Sequence, residues 1–244
     1  MAVDIVDLQG FYDSALGRLA SRSIARIVQR QWPACAGMSF AGIGYATPFL
    51  EPFRPDCLRA LALMPARQGV VNWPIPGRSS AALIEPTAIP LPTASIDRVL
   101  VVHALEFSEQ PGDMLEEIWR ILTPGGRLLI VAPSRSGVWA RVDTTPFGFG
   151  QPYSRSKLRE LLRENLFSPL FWDEALYAPP FAKRLFLRFA PALEKLGARL
   201  HLPGAGILVV EASKQLYRPI TVKRAALRPV PQMVQPALAP VRRG

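Results

Sequence analysis

RVLVVHALEFSEQPGDMLEEIWRILTPGGRLLIVA, residues 98–132, contains one complete strand–helix–strand unit. Arg98 to Val102 is the apolar run of a strand buried on both faces. From about Gly112 to Leu122, the residues Met114, Leu115, Ile118 and Leu122 recur on one side of a helix. Thr123-Pro124-Gly125-Gly126 stops that helix before a second apolar run, Arg127 to Ala132. Two apolar strands joined through a helix by short connectors are parallel neighbours in one sheet.

Outward from this unit the same alternation continues. Residues 8–30 repeat apolar positions at helical spacing (Leu8, Phe11, Leu19, Ile27 among them) and predict one amphipathic opening helix. Strands are expected at Met38–Ala41, Arg59–Leu63, Ala81–Glu85, Leu170–Asp173 and Ile207–Glu211. Helices are expected from Ser154, as N-cap, and over Ala182–Leu200 with an interruption near Pro191. Between Pro133 and Ser154 runs a polar and aromatic stretch too long for an ordinary connector. Its Trp139, Phe147, Phe149 and Tyr153 either close over an apolar substrate or plug the edge of the domain.

Composition narrows the class. A chain of 244 residues, 49% hydrophobic, can bury a full core. No apolar run approaches the roughly 20 residues of a membrane span, and the opening residues lack a secretory pattern, so a cytoplasmic protein is expected. Two cysteines and two histidines exclude a disulfide scaffold and make a structural zinc site an unpromising reading. Seven of the 29 basic residues and none of the 19 acidic ones lie from Lys214 onward, so most of the +10 net charge sits there. The expected organisation is one α/β domain over residues 1–213 and a basic, proline-rich, flexible tail over 214–244. That tail is either a docking segment for an acidic protein partner or nucleic acid, or a solvated end.

Gly42-Ile43-Gly44-Tyr45-Ala46-Thr47-Pro48 follows the first strand. Glycines at 42 and 44 allow a tight turn and close approach to a ligand, with Thr47 and Pro48 suited to N-cap and N1 of a helix. The same turn also serves as a plain structural connection. Downstream stand Glu85-Pro86-Thr87-Ala88-Ile89-Pro90-Leu91-Pro92-Thr93-Ala94-Ser95-Ile96-Asp97, then His103-Ala104-Leu105-Glu106, then Leu115-Glu116-Glu117-Ile118-Trp119-Arg120-Ile121-Leu122-Thr123-Pro124-Gly125-Gly126. This ordered series resembles the class I S-adenosylmethionine-dependent methyltransferases, specifically the type 11 family.

The resemblance implies a Rossmann-like, seven-stranded, mostly parallel sheet with helices on both faces and S-adenosylmethionine as cofactor. It implies Gly42, Gly44 and Tyr45 beside the methionine part of the cofactor and Glu85 on the adenine amino group. The acid that the family places two residues before the first glycine is Phe40 here. The acid for the ribose hydroxyls falls on Leu63 or Met64. Met64 and Trp73 are therefore candidates to replace polar recognition by contact with adenine, Trp73 alternatively covering the sheet edge. Tyr12 is a candidate cap over the cofactor.

Methyl transfer from a sulfonium depends mainly on alignment and exclusion of water, so few side chains are required to act chemically. His103, ending the fourth strand, is the candidate general base; the alternative is a packed histidine orienting Glu106 or a backbone carbonyl. Arg135 and Arg141 are candidates to meet an anionic substrate. The expected function is methyl transfer to a small or lipid-like acceptor. The alternative is a catalytically silent member that binds or regulates a protein partner. Nucleic acid is the less favoured substrate, because the body lacks a basic stripe. A dinucleotide oxidoreductase is disfavoured by the G-x-G-x-A spacing.

Overall fold

The computed structural model describes residues 3–181, 184–200 and 202–216. The expected opening helix is two helices, α1 (Ile5–Asp13) and α2 (Ala15–Gln31). Ser14 divides them: it is extended, ends α1, and its hydroxyl accepts the amide of Gly17 at 2.9 Å as the cap of α2. Asp4 caps α1 through the amide of Val6. The break lets the two helices bury separate stripes, and it turns α1 across the end of the sheet.

The remaining elements are β1 (Ser39–Gly44), α3 (Thr47–Leu50), β2 (Arg59–Pro65), β3 (Ala81–Ile84), β4 (Ile96–Val102), α4 (Pro111–Ile121), β5 (Leu122–Pro133), α5 (Arg155–Glu164), β6 (Phe167–Ala175), α6 (Arg184–Leu200) and β7 (Ile207–Lys214). They form one sheet in the order β3-β2-β1-β4-β5-β7-β6. β1 to β5 are parallel, and β7 inserts antiparallel between β5 and β6. The expected α/β architecture with helices on both faces is therefore the observed one.

Alternation along the strands builds two cores. Leu100 and Val102 of β4 face the layer of α1 and α2, while Val99 and Val101 face α4 and α5. Phe40, standing where the family has an acid, belongs to the first layer: its ring stacks on Phe53 at 5.4 Å and meets Trp32 edge-on at 5.6 Å. A carboxylate there would be buried without a partner.

Several expectations are corrected. α3 is a single turn whose cap is Ala46, with no side-chain bond, rather than Thr47. α6 runs through Pro191, because that residue lies on the exposed side, where water offsets the missing backbone bond. The stretch 134–153 is a plug rather than an open lid: Trp139, Phe147 and Tyr153 are buried, and the indole of Trp139 donates to the carbonyl of Ala178 at 2.8 Å. Lys214, counted with the basic tail, ends β7 and is buried. Its ammonium donates to the carbonyl of Leu122 at 2.6 Å and lies 4.0 Å from the Trp119 ring. The proline-rich segment expected to be flexible, residues 217–244, lies outside the described residues.

Gly44 has φ +81, and a Cβ on it would collide with the carbonyl oxygen of Val102. β1 can end against β4 only with glycine at this position. Gly44→Ala is accordingly expected to lower stability by about 2–4 kcal/mol in the absence of any ligand, read as a lowered denaturant midpoint with unchanged slope.

Candidate functional site

The carboxyl ends of β1, β2, β3 and β4 converge under α1, where ligands of open α/β sheets bind. His103 is the first residue beyond β4 and takes a left-handed backbone, φ +53, uncommon for a non-glycine residue. Three segments hold it there. Its carbonyl accepts the Gln68 side-chain amide at 2.6 Å, its Nδ1 lies 3.1 Å from Oε1 of Glu106, and its Nε2 lies 2.8 Å from the Tyr12 hydroxyl. A short 3-10 turn, Leu105–Phe107, returns Glu106 under the ring. The imidazole is 1% exposed.

In the tautomer whose Nδ1–H donates to Glu106, Nε2 carries the lone pair and accepts from the Tyr12 hydroxyl. Burial first, then the nearby charge of Glu106, pushes the Tyr12 phenol well above its ordinary value, so it remains a neutral donor. The Tyr12 ring stacks on Tyr45 at 5.3 Å, and Phe147 tilts against His103 at 4.7 Å. Burial also pushes Tyr45 and Tyr153 up to about 12.

A cavity of about 560 Å³ opens beside this cluster, lined by Pro65, Ala66, Gln68, Glu85, Ala104 and Glu106 among others. Two of its buried acceptors, Oε1 of Gln68 and Oε2 of Glu106, have no hydrogen-bond partner. They lie beside the exposed Glu85, and Arg67, Thr87, Ser108, Gln110 and Gln151 bring side-chain donors to the same lining. A buried polar atom left unpaired costs about 1–3 kcal/mol, so a donor that reached Gln68 Oε1 or Glu106 Oε2 would bind favourably there.

The candidate residues are thus divided. Glu85 faces this cavity, and His103 stands behind it through Glu106. Tyr45 and Trp73 line a separate hollow of about 510 Å³ on the far side of α1, where the Trp73 indole donates to Glu51 at 2.9 Å. Met64 is fully buried, its sulfur accepting the amide of Val71. A Cβ on Gly42 would meet Ala46 and Leu50, so the space at this glycine is filled by the turn's own helix. Gln68 escaped the sequence reading, since nothing in a loop of prolines and glycines marks one glutamine. Glu106 was read only as a partner that His103 might orient.

The sheet order, with β7 antiparallel between β5 and β6, defines the class I methyltransferase fold. The solved structures agree: an S-adenosylmethionine-dependent methyltransferase from Thermotoga maritima has a TM-score of 0.56 at 18% identity, covering 82% of this chain and 91% of that one. The [4+2]-cyclase SpnF has a TM-score of 0.54 at 19% identity, covering 81% and 82%. A Haloferax volcanii protein in complex with the Trm112 methyltransferase activator has 0.55 at 15%, covering 86% and 98%. Residues 70–130 match a family model described as a methyltransferase domain. That match runs from the loop before β3 into β5 and leaves the glycine turn outside. Comparison with curated proteins returns no match.

Tyr12→Phe removes the donor to His103 and is expected to cost about 1–3 kcal/mol at neutral pH. The unfolded chain releases a tyrosine proton near pH 10, whereas the folded protein retains that of Tyr12. Stability therefore falls as pH rises past about 10, and the fall is expected to be shallower in Tyr12→Phe when denaturation is followed from pH 8 to 11.

Proposed function

We propose that this chain is an S-adenosylmethionine-dependent methyltransferase acting on a small or lipid-like acceptor, with the nucleoside seated in the 560 Å³ cavity. The observation that carries this reading is the pair of unpartnered buried acceptors, Gln68 Oε1 and Glu106 Oε2, beside Glu85. An adenine amino group and ribose hydroxyls are donors of the kind these two acceptors lack. Gln68, Glu85 and Glu106 would hold the nucleoside, and the cofactor when bound supplies an electrophilic methyl group.

The methionine half fits less well. On the Gly44 side the space is filled by the stacked rings of Tyr12 and Tyr45, and α1 is fastened by the Tyr12–His103 bond and by the amide of Ile5 on the carbonyl of Gln68 at 2.7 Å. A complete cofactor therefore requires Tyr12 to leave His103. That movement would also bare Nε2, the one nitrogen lone pair here able to take a proton from an acceptor. Glu106 would hold the ring in the needed tautomer. Binding and base exposure are in this reading one event.

A second reading, a silent scaffold, draws on the same residues. Phe40 and Met64 are core, and Tyr12 is a fully seated plug. The fold leaves both readings open, since SpnF is a [4+2]-cyclase.

Calorimetric titration separates them. Adenosine is expected to bind the wild-type protein, and Glu85→Ala is expected to weaken it about tenfold, the loss of one hydrogen bond. Tyr12→Ala is expected to tighten S-adenosylhomocysteine relative to adenosine. Absence of heat with both ligands in both wild type and Tyr12→Ala would leave only the scaffold.

A further inference from the structure

α6 is mounted on the domain in an unusual way. Two of its small residues face inward: Ala190 and Gly197 are buried, and a Cβ on Gly197 would strike the ring of Tyr177. The acid between them, Glu194, is buried as well, its carboxylate accepting the amides of Leu176 and Ala178 at 3.0 and 2.9 Å. Four large apolar side chains of its described part point away. Phe189, Leu193, Leu196 and Leu200, spaced as a single helical stripe, are 41–58% exposed. A stripe of this size commonly faces a core, and here it faces outward.

The polar residues beside the stripe carry one sign. Arg188, Lys195 and Arg199 are exposed and fall together on the helix flank about 100° from the stripe. The single acid of the helix is turned inward by its two backbone bonds. A second copy of α6 would bring like charges together, and so would residues 217–244, which contain six basic residues and no acidic one. An apolar stripe flanked by cations suits an anionic bilayer: the apolar chains enter the acyl boundary while the cationic heads remain level with the phosphates. At 17 residues, α6 would lie on such a surface. Among the described residues no helix is long and apolar enough to cross a membrane.

A hollow of about 860 Å³, lined by Phe11, Leu16, Val142 and Pro180 among others, opens close to the chain that enters α6. Phe11 meets Phe147 edge-on at 6.1 Å, and Phe147 lies against His103. We infer that the outward face of α6 docks this protein on anionic lipid membranes. The docking surface stands apart from the reaction and does not depend on cofactor binding.

Flotation of the full chain with vesicles tests it, using phosphatidylcholine alone or with about 30% phosphatidylglycerol. The expected result is binding to the mixed vesicles, weakened by added salt, and weakened at least about tenfold in the double variant Phe189→Glu, Leu196→Glu. Both positions are exposed, and an unchanged thermal midpoint checks the fold. The triple variant Arg188→Gln, Lys195→Gln, Arg199→Gln is expected to lose the preference for anionic over neutral vesicles.

Three results would overturn the inference. One is no binding to mixed vesicles. A second is binding untouched by the double variant but abolished when Arg218, Lys223, Arg224 and Arg228 become Gln. The third is a dimer in light scattering that the double variant dissociates while vesicles bind neither form.

Discussion

The carboxyl end of the sheet is organised around one imidazole. His103 joins three segments distant in sequence: α1 through Tyr12, the turn after β2 through Gln68, and the turn after β4 through Glu106. Its backbone is in a conformation that costs a non-glycine residue roughly 1–2 kcal/mol, and it persists because the carbonyl and both ring nitrogens are held. Removal of any partner leaves a buried polar group unpaired, which is why the cluster acts as a unit. α1 lies where it does because Tyr12 has this partner to reach, and the cavity beside Glu85 has its boundary because Gln68 is fixed.

The same arrangement brings Gln68, Glu85 and Glu106 to the cavity, whose lining also includes the ion pair of Arg67 with Glu109. The glycine turn has another task in this conformation. Gly44 permits β1 to meet the last carbonyl of β4, and Gly42 gives room to the short helix above it. The glycines therefore serve chain geometry before any ligand arrives. Phe40 fills the layer beneath α2, and Met64 closes the loop that follows β2.

Polarity at the far side follows a comparable rule. Glu194 spends its charge on two backbone amides at the start of the α6 region, and Lys214 spends its own on Leu122 and the Trp119 ring. Burial raises the carboxyl of the first and lowers the ammonium of the second, and each is tolerated because backbone groups pair with it. The exposed flank of α6 is left with cations only.

Much of the fold is local in origin, and so the sequence by itself determined it. Apolar runs at Arg98–Val102 and Arg127–Ala132 with the intervening helix needed no distant partner to be read, because periodicity and the Pro-Gly-Gly stop act over a few residues. The βαβ pattern, the family likeness and the position of His103 beyond β4 follow from that. The contact of Tyr12 with His103 spans 91 residues. No spacing rule predicts it, and it decided whether the histidine is open or covered. Gln68 likewise gained its role only when the turn after β2 met that after β4. The orientation of α6 was undetermined for a related reason: a stripe of leucines shows that one face is apolar, but which face meets the body depended on Tyr177 fitting against Gly197. Local chemistry chose the elements, and packing between distant elements chose which polar atoms were satisfied, which were left wanting, and which surface was turned to the outside.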